Sequence, residues 1–434
     1  MRKIRITVIG TGYVGLTTGA CMASLGHTVI CADYDAAKVA ALRRGEVDIL
    51  EPGLEELVAK GISSTHLQFT TRTLDAVIDA DAVFLCLPTP TSTNGSADLS
   101  AVHAVTEQVR PALKPGCVLV VKSTVPIGAS TDLVEVLNRT DVPVVTNPEF
   151  LREGTAVQDF LRPDRILIGC TDLVAGEWVA HLYRNPAVPT IITGPRTAEM
   201  AKYASNCFLA MKISYINSIA ELSGRLGADA RTVATVMGHD PRIAQAHLKP
   251  GPGWGGSCLP KDTTALLDVA TKAGFDFQLL RATVDSNRAH QEEVARRIFD
   301  RLPPAPPRPR VGILGLTFKA KTNDLRDSPA VAVARMLTAL GADVTAYDPA
   351  IRTQIPGVVV VDDPYLVAKG AGCVAILTEW EQFRALDWSL IAELMDGDLV
   401  VDTRNMLDGT ALRALSLRWE GIGAGDSDSH ARDR

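Results

Sequence analysis

A glycine-rich stretch, GPGWGGSCLPKD (residues 251–262), contains the cysteine whose surroundings best suit chemistry. Gly255 and Gly256 precede Cys258, and two glycines cannot build a hydrophobic core around a sulfur as larger apolar neighbours do. Lys261, three residues further on, could favour the thiolate, which is the nucleophilic form of cysteine. The alternative is a surface-loop cysteine without function, because reactive cysteines are the minority.

Two other groups of polar residues have spacings that suit catalysis or binding. Lys202 and Asn206 are four residues apart in a long helical pattern, so their side chains share one face of the helix. An ammonium and an amide could hold an oxyanion, although from these two residues alone we favour a solvated helix face. Glu149 and Glu153 follow a strand pattern within NPEFLREG (residues 147–154). Extended chain or a first helical turn would expose both acids where open α/β sheets bind ligands, and an ordinary acidic helix start is the alternative.

Most other cysteines have a structural explanation. They fall in apolar strand patterns or in the long helical pattern: Cys31, Cys86, Cys117, Cys373 and Cys207. In such positions cysteine behaves as a small hydrophobic residue. The eight cysteines show no CxxC spacing, which indicates neither a disulfide framework nor a zinc cluster. We therefore expect no metal and a reducing, cytoplasmic environment.

A second kind of chemistry is indicated at the N-terminus, where a β-branched run is followed by GTGYVG. Gly10 permits a tight turn, Gly12 lets the backbone approach a pyrophosphate, and Gly15 allows close helix–strand packing. Asp33 ends the next strand pattern, near the usual spacing of about 20 residues for the acid that binds the ribose. Because no arginine follows Asp33, NAD is favoured over NADP. A plain βα turn with a surface acid is the alternative.

The second half of the chain lacks this fingerprint. Gly312 and Gly315 follow another apolar run, but a third glycine is missing and Thr317-Phe318-Lys319 comes next. We interpret this segment as a Rossmann-like turn with a different use, such as a nucleotide diphosphate met by the lysine.

The elements that must position these residues alternate between strand and helix patterns in both halves. Such alternation predicts an α/β protein with two doubly wound parallel sheets. Between them, a long helix is predicted from Thr197, an N-cap candidate, to Gly224. A proline-rich segment, PPAPPRP (residues 303–309), has the composition of a stiff linker. The predicted parts are a dinucleotide-binding domain 1–196, a helical centre 197–302, a second sheet domain 303–420 and a disordered tail 421–434.

Composition excludes several classes of protein. A formal net charge of −6 argues against a nucleic-acid partner, because phosphate backbones require a basic face. No apolar run reaches the roughly 20 residues that span a bilayer. The N-terminus begins with basic residues and an apolar run, but glycines interrupt that run and no small-residue cleavage site follows, so we interpret it as a strand and not as a secretion signal.

The motifs together resemble those of the nucleotide-sugar 6-dehydrogenases, the UDP-glucose/GDP-mannose dehydrogenase family. They occur in the family's order: GTGYVG, KSTVPIG (122–128), NPEFLREG, the helix with Lys202 and Asn206, GGSCLPKD and GLTFKAKTNDLRDS (315–328). The resemblance covers roughly residues 1–410. It implies an NAD-binding Rossmann domain, a central dimerisation segment and a UDP-binding domain. It also implies oxidation of a sugar 6-hydroxyl to a carboxylate in two NAD-dependent steps, within nucleotide-sugar metabolism and polysaccharide biosynthesis.

The resemblance also implies roles for individual residues. The catalytic set is Cys258 as nucleophile, Lys202 and Asn206 as the oxyanion-stabilising pair, Asp262 as the acid that helps to activate water, and Thr124 with Glu149 to place that water. The NAD contacts are Gly10, Gly12, Tyr13, Val14, Gly15, Asp33, Lys38, Thr89, Thr124, Glu153, Lys261 and Arg326. The UDP-sugar contacts are Glu149, Phe150, Leu151, Arg152, Glu153, Lys202, Asn206, Arg242, His247, Leu248, Lys249, Pro250, Gly251, Gly255 and Lys319. Because Arg242 matches an arginine that reaches the neighbouring subunit's substrate, a homodimer or larger homo-oligomer is implied.

Within the family, GHDPRI and RPDRILIG resemble the UDP-glucose branch more than the GDP-mannose branch, so UDP-glucose is the expected substrate. Three alternatives stay open on sequence grounds. They are a GDP-mannose 6-dehydrogenase, a one-step β-hydroxyacid dehydrogenase, which would need neither the cysteine nor a second nucleotide domain, and a non-catalytic NAD-binding protein.

Overall fold

A computed structural model describes residues 4–92, 95–184, 187–303 and 308–424. The chain forms two compact units. Unit 1 comprises Met1–Ser205 and Thr264–Phe275, and unit 2 comprises Asn206–Thr263 and Asp276–Arg434.

Unit 1 is built on an eight-stranded sheet. Its strands are β1 Arg5–Ile9, β2 Thr28–Ala32, β3 Leu67–Thr70, β4 Ala82–Leu85, β5 Val118–Val121, β6 Val144–Thr146, β7 Ile166–Cys170 and β8 Thr190–Thr193. Their order across the sheet is β3-β2-β1-β4-β5-β6-β7-β8. All neighbours are parallel except β6 and β7, which are antiparallel. The predicted doubly wound sheet is therefore confirmed, and the prediction that it is wholly parallel is wrong at that one pair.

The helices of unit 1 cover both faces of this sheet. They are α1 Tyr13–Ser24, α2 Ala36–Arg43, α3 Leu54–Ser63, α4 Thr73–Val77, α5 Ser100–Val109, α6 Ala129–Leu137, α7 Ala156–Leu161 and α8 Leu173–His181. Successive strand residues point to opposite faces, so Val118 and Val120 enter one core cluster and Leu119 and Val121 enter the other. Burial on both faces explains why these strands are continuous apolar runs without alternation.

The boundaries between the two units at Ser205/Asn206 and Thr263/Thr264 fall within helices. Four helices lie between the two sheets along the chain: α9 Pro195–Leu226, α10 Ala230–Gly238, α11 Leu259–Lys272 and α12 Gln278–Phe299. The 32-residue α9 confirms the predicted long helix. Thr197 is not its N-cap, because the helix already begins at Pro195, and the fixed φ of proline suits a first helical position.

Unit 2 contains a six-stranded, wholly parallel sheet. Its strands are β9 Arg310–Leu314, β10 Asp343–Tyr347, β11 Val359–Val361, β12 Cys373–Ile376, β13 Leu399–Asp402 and β14 Arg418–Gly421. Their order is β11-β10-β9-β12-β13-β14, which is the order of a dinucleotide-binding fold. The remaining helices are α13 Pro329–Ala339, α14 Trp388–Leu394 and α15 Gly409–Ala414. The second predicted α/β sheet is thus confirmed.

Two predicted segments extend beyond the described residues. The proline-rich linker 303–309 includes residues 304–307, and the tail 421–434 includes residues 425–434, which lie outside the described ranges. The start of that tail needs correction, because Gly421 ends β14 and Ile422 is buried. Among the described residues, no helix combines the length and apolarity required to cross a membrane.

Candidate active site

The three motif glycines of unit 1 have distinct steric roles between β1 and α1. Gly10 adopts a φ of 92°, and a β-carbon there would lie 2.5 Å from the backbone oxygen of Cys86. A β-carbon at Gly15 would lie 1.8 Å from the oxygen of Gly10, so only glycine lets the helix begin this close to the strand. Around Gly12, by contrast, the described atoms beyond its chain neighbours and its own helix all lie more than 4 Å from the added carbon position. This open space beside a helix N-terminus suits a pyrophosphate.

Asp33 lies directly after β2, and its carboxylate is bound by neighbouring residues but remains partly exposed. Its Oδ2 accepts hydrogen bonds from the backbone nitrogen of Thr11 at 2.8 Å and from its hydroxyl at 2.7 Å, and Oδ1 accepts one from Asp35 N at 3.1 Å. Burial opposes ionisation, but these bonds and the charge of Lys38 outweigh it and lower the pKa of Asp33. The half-exposed carboxylate keeps further lone pairs for the hydroxyls of a ribose.

Two other predicted NAD contacts are brought together in unit 1. The Thr89 hydroxyl donates a 2.9 Å hydrogen bond to the backbone oxygen of Thr124. Val14 is half-buried against the core of α1 and β1. The open glycine turn, the exposed edge of Asp33 and these two threonines are a set of residues that fits NAD.

A buried carboxylate that the sequence did not single out joins two of the motifs. Glu51 accepts hydrogen bonds from the Tyr13 hydroxyl and from the backbone nitrogens of Gly154 at 2.6 Å and Val157 at 3.4 Å. Burial and the neighbouring Glu51 raise the pKa of Tyr13 far above its usual value. Glu51 follows no strand pattern and was therefore missed, although a glutamate only 6% exposed must have partners.

Glu149 and Lys202 form a buried ion pair in unit 1. Lys202 Nζ lies 3.0 Å from Glu149 Oε1 and donates a second bond of 2.6 Å to the Glu149 backbone oxygen. Burial works against a charged Glu149, but Lys202, a bond from Leu151 N and the more distant Lys122 together lower its pKa. The prediction of a solvated helix face is wrong for Lys202, which is 3% exposed. The prediction of an exposed acid is wrong for Glu149, which is 5% exposed.

The rest of the NPEFLREG segment lies beside this pair. Arg165 stacks over the ring of Phe150 at 3.8 Å from its centroid, and Lys202 Nζ lies 5.2 Å from the same centroid. Arg152 forms an ion pair with Asp159 at 2.5 Å. The acidic helix start is wrong for Glu149 and Glu153, because α7 begins only at Ala156. A small cavity of about 170 Å³ is lined by residues 147–152, 158–160 and 162–167, with Lys122 and Tyr183.

In unit 2, Cys258 lies immediately before α11. Its backbone oxygen accepts a 2.9 Å hydrogen bond from Asp262 N, which places the sulfur at the first turn of the helix. The partial positive charge of a helix N-terminus stabilises an anion. The Ser257 hydroxyl lies 3.6 Å from the Cys258 sulfur.

Asp262 gathers two other predicted residues around its carboxylate. The Asn206 amide donates a 2.6 Å hydrogen bond to Asp262 Oδ2, and Lys261 Nζ donates one of 2.7 Å to Asp262 Oδ1. Asp262 is 1% exposed and Asn206 is 8% exposed, so the solvated helix face is wrong for Asn206 as well. The amide of Asn206 keeps a second N–H, and the carboxylate keeps lone pairs. Such a pair can donate to an oxyanion and accept a proton from water.

The other seven cysteines are buried, and Cys258 alone is partly exposed; all eight lie in the described residues. Burial, followed by the charge of Asp262, raises the pKa of Cys207 to about 12. Burial likewise raises the pKa of Cys86 to about 12. Thiols held in the neutral form are poor nucleophiles. The packing role predicted for these cysteines is therefore confirmed, and Cys258 is the candidate nucleophile.

The glycines before Cys258 allow two segments of unit 2 to pack closely. A β-carbon at Gly255 would lie 1.9 Å from the backbone oxygen of Asp327, and one at Gly256 would lie 2.8 Å from the ring of Phe318. The space beside both glycines is filled by the protein's own 315–328 segment, so larger residues would not fit at either position. Two of the motifs singled out in the sequence are thereby packed together. Lys319 lies in that segment, with Nζ 5.3 Å from the Phe318 ring centroid, and Arg326 pairs with Asp324 at 2.7 Å.

The predicted UDP-sugar segment 247–251 is held by α9 and α12. Asn217 accepts a 3.0 Å bond from Gly251 N, and His290 Nε2 lies 2.7 Å from Gly251 O. Arg404, which follows β13, has its guanidinium 2.8 Å from the position of a β-carbon on Gly251. Sequence reasoning missed Arg404, although a basic residue at the carboxyl end of a parallel strand was a usable signal. Arg242 lies on an exposed loop, paired with Asp240 at 2.6 Å.

A sheet in dinucleotide-binding order, a glycine turn with an accessible acid and a cysteine at a helix N-terminus together define a Rossmann-type NAD-dependent oxidoreductase. Models of the UDP-glucose/GDP-mannose dehydrogenase family match the chain over its NAD binding domain (residues 4–187), central domain (196–289) and UDP binding domain (312–409). The chain belongs to this family.

Individual relatives agree with this assignment. The chain is 42% identical to a UDP-glucose 6-dehydrogenase of Rhizobium meliloti, covering 98% of this chain and 100% of the relative. It is 40% identical to a UDP-glucose 6-dehydrogenase of Pseudomonas aeruginosa, with 97% of each chain covered. A solved UDP-glucose dehydrogenase from Pyrobaculum islandicum aligns with a TM-score of 0.86 at 36% identity, covering 97% of this chain and 98% of that one. The protein is thus an NAD-dependent dehydrogenase of a nucleotide sugar.

Proposed function

We propose that the protein oxidises UDP-glucose to UDP-glucuronate in two successive steps that share one cysteine. The observation that carries this proposal is the position of Cys258, the one partly exposed cysteine of the chain, at the start of the helix that also holds Asp262. A simple alcohol dehydrogenase needs no such thiol.

The order of events follows from the chemistry of aldehydes. NAD, when bound, supplies the hydride acceptor for both steps. In the first step, carbon 6 of glucose loses a hydride and its hydroxyl loses a proton, which leaves an aldehyde. An aldehyde releases a second hydride readily only after a nucleophile has added to its carbon. The thiolate of Cys258 forms that bond, and loss of the second hydride converts the thiohemiacetal into a thioester.

The last step is hydrolysis, and the chain has residues for it. Asp262 accepts a proton from the attacking water, the carbon–sulfur bond breaks, and the thiol of Cys258 is restored as the carboxylate leaves. Lys202 Nζ and the free amide hydrogen of Asn206 stabilise the negative charge on oxygen during addition and hydrolysis. The ionised Glu149, together with Thr124, places the water. Two NADH therefore form for each sugar oxidised.

We also propose that the protein works as a homodimer through α9. Large apolar side chains are exposed on this helix at spacings of seven, seven and four residues: Phe208, Tyr215, Leu222 and Leu226, at 55%, 54%, 52% and 73% exposure. That spacing is the repeat of a helix surface that packs against another helix. Sedimentation of the full chain at micromolar and nanomolar concentrations measures the oligomeric state.

The test of the reaction uses Cys258→Ala and Cys258→Ser with UDP-glucose, and GDP-mannose as the competing substrate. The wild-type protein should form two NADH per UDP-glucose and release UDP-glucuronate, identified by mass. Cys258→Ala should release no acid, because the aldehyde has no sulfur to add to it. Cys258→Ser should accumulate an ester on the protein, since an oxygen ester hydrolyses more slowly. Normal acid production by Cys258→Ala would refute the mechanism, and faster turnover of GDP-mannose would refute the substrate.

A further inference from the structure

Lys212 has an unusual set of partners on α9. Its Nζ donates hydrogen bonds to three backbone oxygens of one loop, those of Ile243 at 2.9 Å, Ala244 at 3.1 Å and Ala246 at 2.6 Å. An ammonium has three N–H donors and no acceptor, so three converging carbonyls satisfy it fully. Loss of hydration at this position lowers the pKa of Lys212. The ammonium of Lys212 therefore links three backbone oxygens of the loop, as a bound cation would.

This loop, residues 240–251, is fixed at its ends by other contacts. At one end, the backbone nitrogens of Ile243 and Ala244 donate to Asp240 O, each at 2.9 Å. At the other end, Leu248 is buried in a small cluster with Ile216 of α9.

The middle of the loop has little cover from the rest of the protein. Residues 241–246 are exposed. Ala244 and His247 adopt φ angles of 63° and 64°, and the left-handed region is unfavourable for residues with a β-carbon. The contacts of Lys212 offset that cost, because they join the three carbonyls of the strained stretch to a rigid helix.

We propose that Lys212 is a positioning residue for nucleotide-sugar binding, whose ammonium holds loop 240–251 in the conformation that presents Lys249 to the anionic substrate of its own subunit and Arg242 to that of the neighbouring subunit. The proposal rests on the proposed function for the identity of the ligand, since the contacts of loop 240–251 with a UDP-sugar come from the family resemblance. Its structural half, the ordering of the loop by Lys212, is independent of any ligand.

Replacement of Lys212 by methionine keeps the length of the side chain and removes its charge and donors. The three carbonyls then face each other without a donor, and the strained residues should relax toward water. The KM for UDP-glucose should rise about tenfold, the loss expected for a charged hydrogen-bonding group, while kcat and the KM for NAD change less than about twofold. Lys212→Arg keeps the charge and the donors and should restore most of the affinity.

The closing experiment measures hydrogen exchange of the full-length protein without ligand, followed by steady-state kinetics, for wild type, K212M, K212R and K272M. Lys272 forms an ordinary surface ion pair with Asp268 at 2.7 Å and is the matched control. We expect faster exchange in K212M confined to loop 240–251, with wild-type behaviour in K272M and near wild-type behaviour in K212R. Unchanged exchange in the loop, or a loss of protection spread evenly over both units, would overturn the proposal. If the wild-type chain failed to oxidise UDP-glucose, the proposed function would fall, but the exchange comparison would still decide the role of Lys212.

Discussion

The two sheets of the protein begin with the same backbone turn. After β1, Gly10 has a φ of 92° and its nitrogen donates a 2.8 Å bond to Ala32 O at the end of β2. After β9, Gly315 has a φ of 96° and donates a 2.8 Å bond to Tyr347 O at the end of β10. In each case a β-carbon on the glycine would clash with a residue just beyond the neighbouring strand, Cys86 after β4 and Thr378 after β12. The turn is therefore a property of the fold and does not identify a dinucleotide site by itself.

The acid that follows each second strand is what separates the two turns. Asp33 is half-exposed and accepts bonds from the backbone and hydroxyl of Thr11. Asp348 has no exposed surface. Its carboxylate accepts bonds from the backbone and hydroxyl of Thr317 at 3.0 Å and from the indole of Trp380 at 3.1 Å. The acid at the equivalent position is thus open to a ribose in unit 1, where it is Asp33, and enclosed in unit 2, where it is Asp348.

The largest expected effect is on stability and concerns the enclosed acid. Asp348→Ala should lower the free energy of unfolding by about 3 kcal/mol, because buried N–H groups lose their acceptor. Asp33→Ala should cost about 1 kcal/mol or less, since water can replace the half-exposed carboxylate. Urea denaturation of the full chain measures both. Four of the five tryptophans, Trp254, Trp380, Trp388 and Trp419, belong to unit 2, so fluorescence follows Asp348→Ala, and circular dichroism, which reports both units, follows Asp33→Ala in unit 1. Equal losses would contradict the distinction between the acids.

The next effect is on cofactor binding and concerns the open acid. Asp33→Asn should weaken NAD binding about tenfold, since a carboxylate accepts stronger hydrogen bonds from ribose hydroxyls than an amide does. The affinity for UDP should not change. Calorimetric titrations with NAD and with UDP separate the two ligands, and Asp348→Asn is the matched control, which should bind NAD like the wild type. A similar loss for NAD and UDP in Asp33→Asn would remove the ribose role.

The same acid gives a pH dependence with a definite sign. Burial alone would raise the pKa of Asp33, but the bonds from Thr11 and Asp35 and the charge of Lys38 lower it below the ordinary value. A lowered pKa in the folded state means that the ionised carboxylate contributes above the unfolded value and is lost as the pH falls through the folded one. The advantage of wild type over Asp33→Asn in NAD binding should therefore persist on acidification to about pH 4.

Much of this contrast was visible in the sequence, and the remainder depends on contacts between distant residues. Strand–glycine–helix spacing predicted both turns and the ribose-binding role of Asp33. The enclosure of Asp348 was not predictable locally, since Trp380 lies 32 residues further along the chain. Likewise, helical spacing placed Lys202 and Asn206 on one face but could not tell that the face is buried. The burial of Lys202 depends on Glu149, 53 residues away.

Three strands that the sequence patterns did not single out lie at the edges of the sheets. Strands β3 and β11 are edge strands of three or four residues, and β8, also at an edge, is exposed or half-buried throughout. Edge strands bury fewer side chains, so their apolar pattern is weak. Strands buried on both faces, such as β4 and β5, give the continuous apolar runs that a sequence reveals.

The smallest expected effect tests whether the hydrogen bond from the Trp380 indole contributes to the enclosure of Asp348. Trp380→Phe removes the indole N–H but leaves the bonds of Thr317 to Asp348, so the free energy of unfolding should fall by about 1 kcal/mol for the lost hydrogen bond, plus a packing loss from the smaller ring. A double-mutant cycle with Asp348→Ala separates these two contributions, since the packing loss is present in both backgrounds. The coupling between the two positions should be about 1 kcal/mol.

Trp388→Phe provides the control, because the Trp388 indole donates to Phe383 O at 3.2 Å and not to the carboxylate of Asp348. Its effect should simply add to that of Asp348→Ala. Additivity for Trp380 as well would mean that the ring covers Asp348 without bonding it, and the closure of the second turn would then be a matter of packing alone.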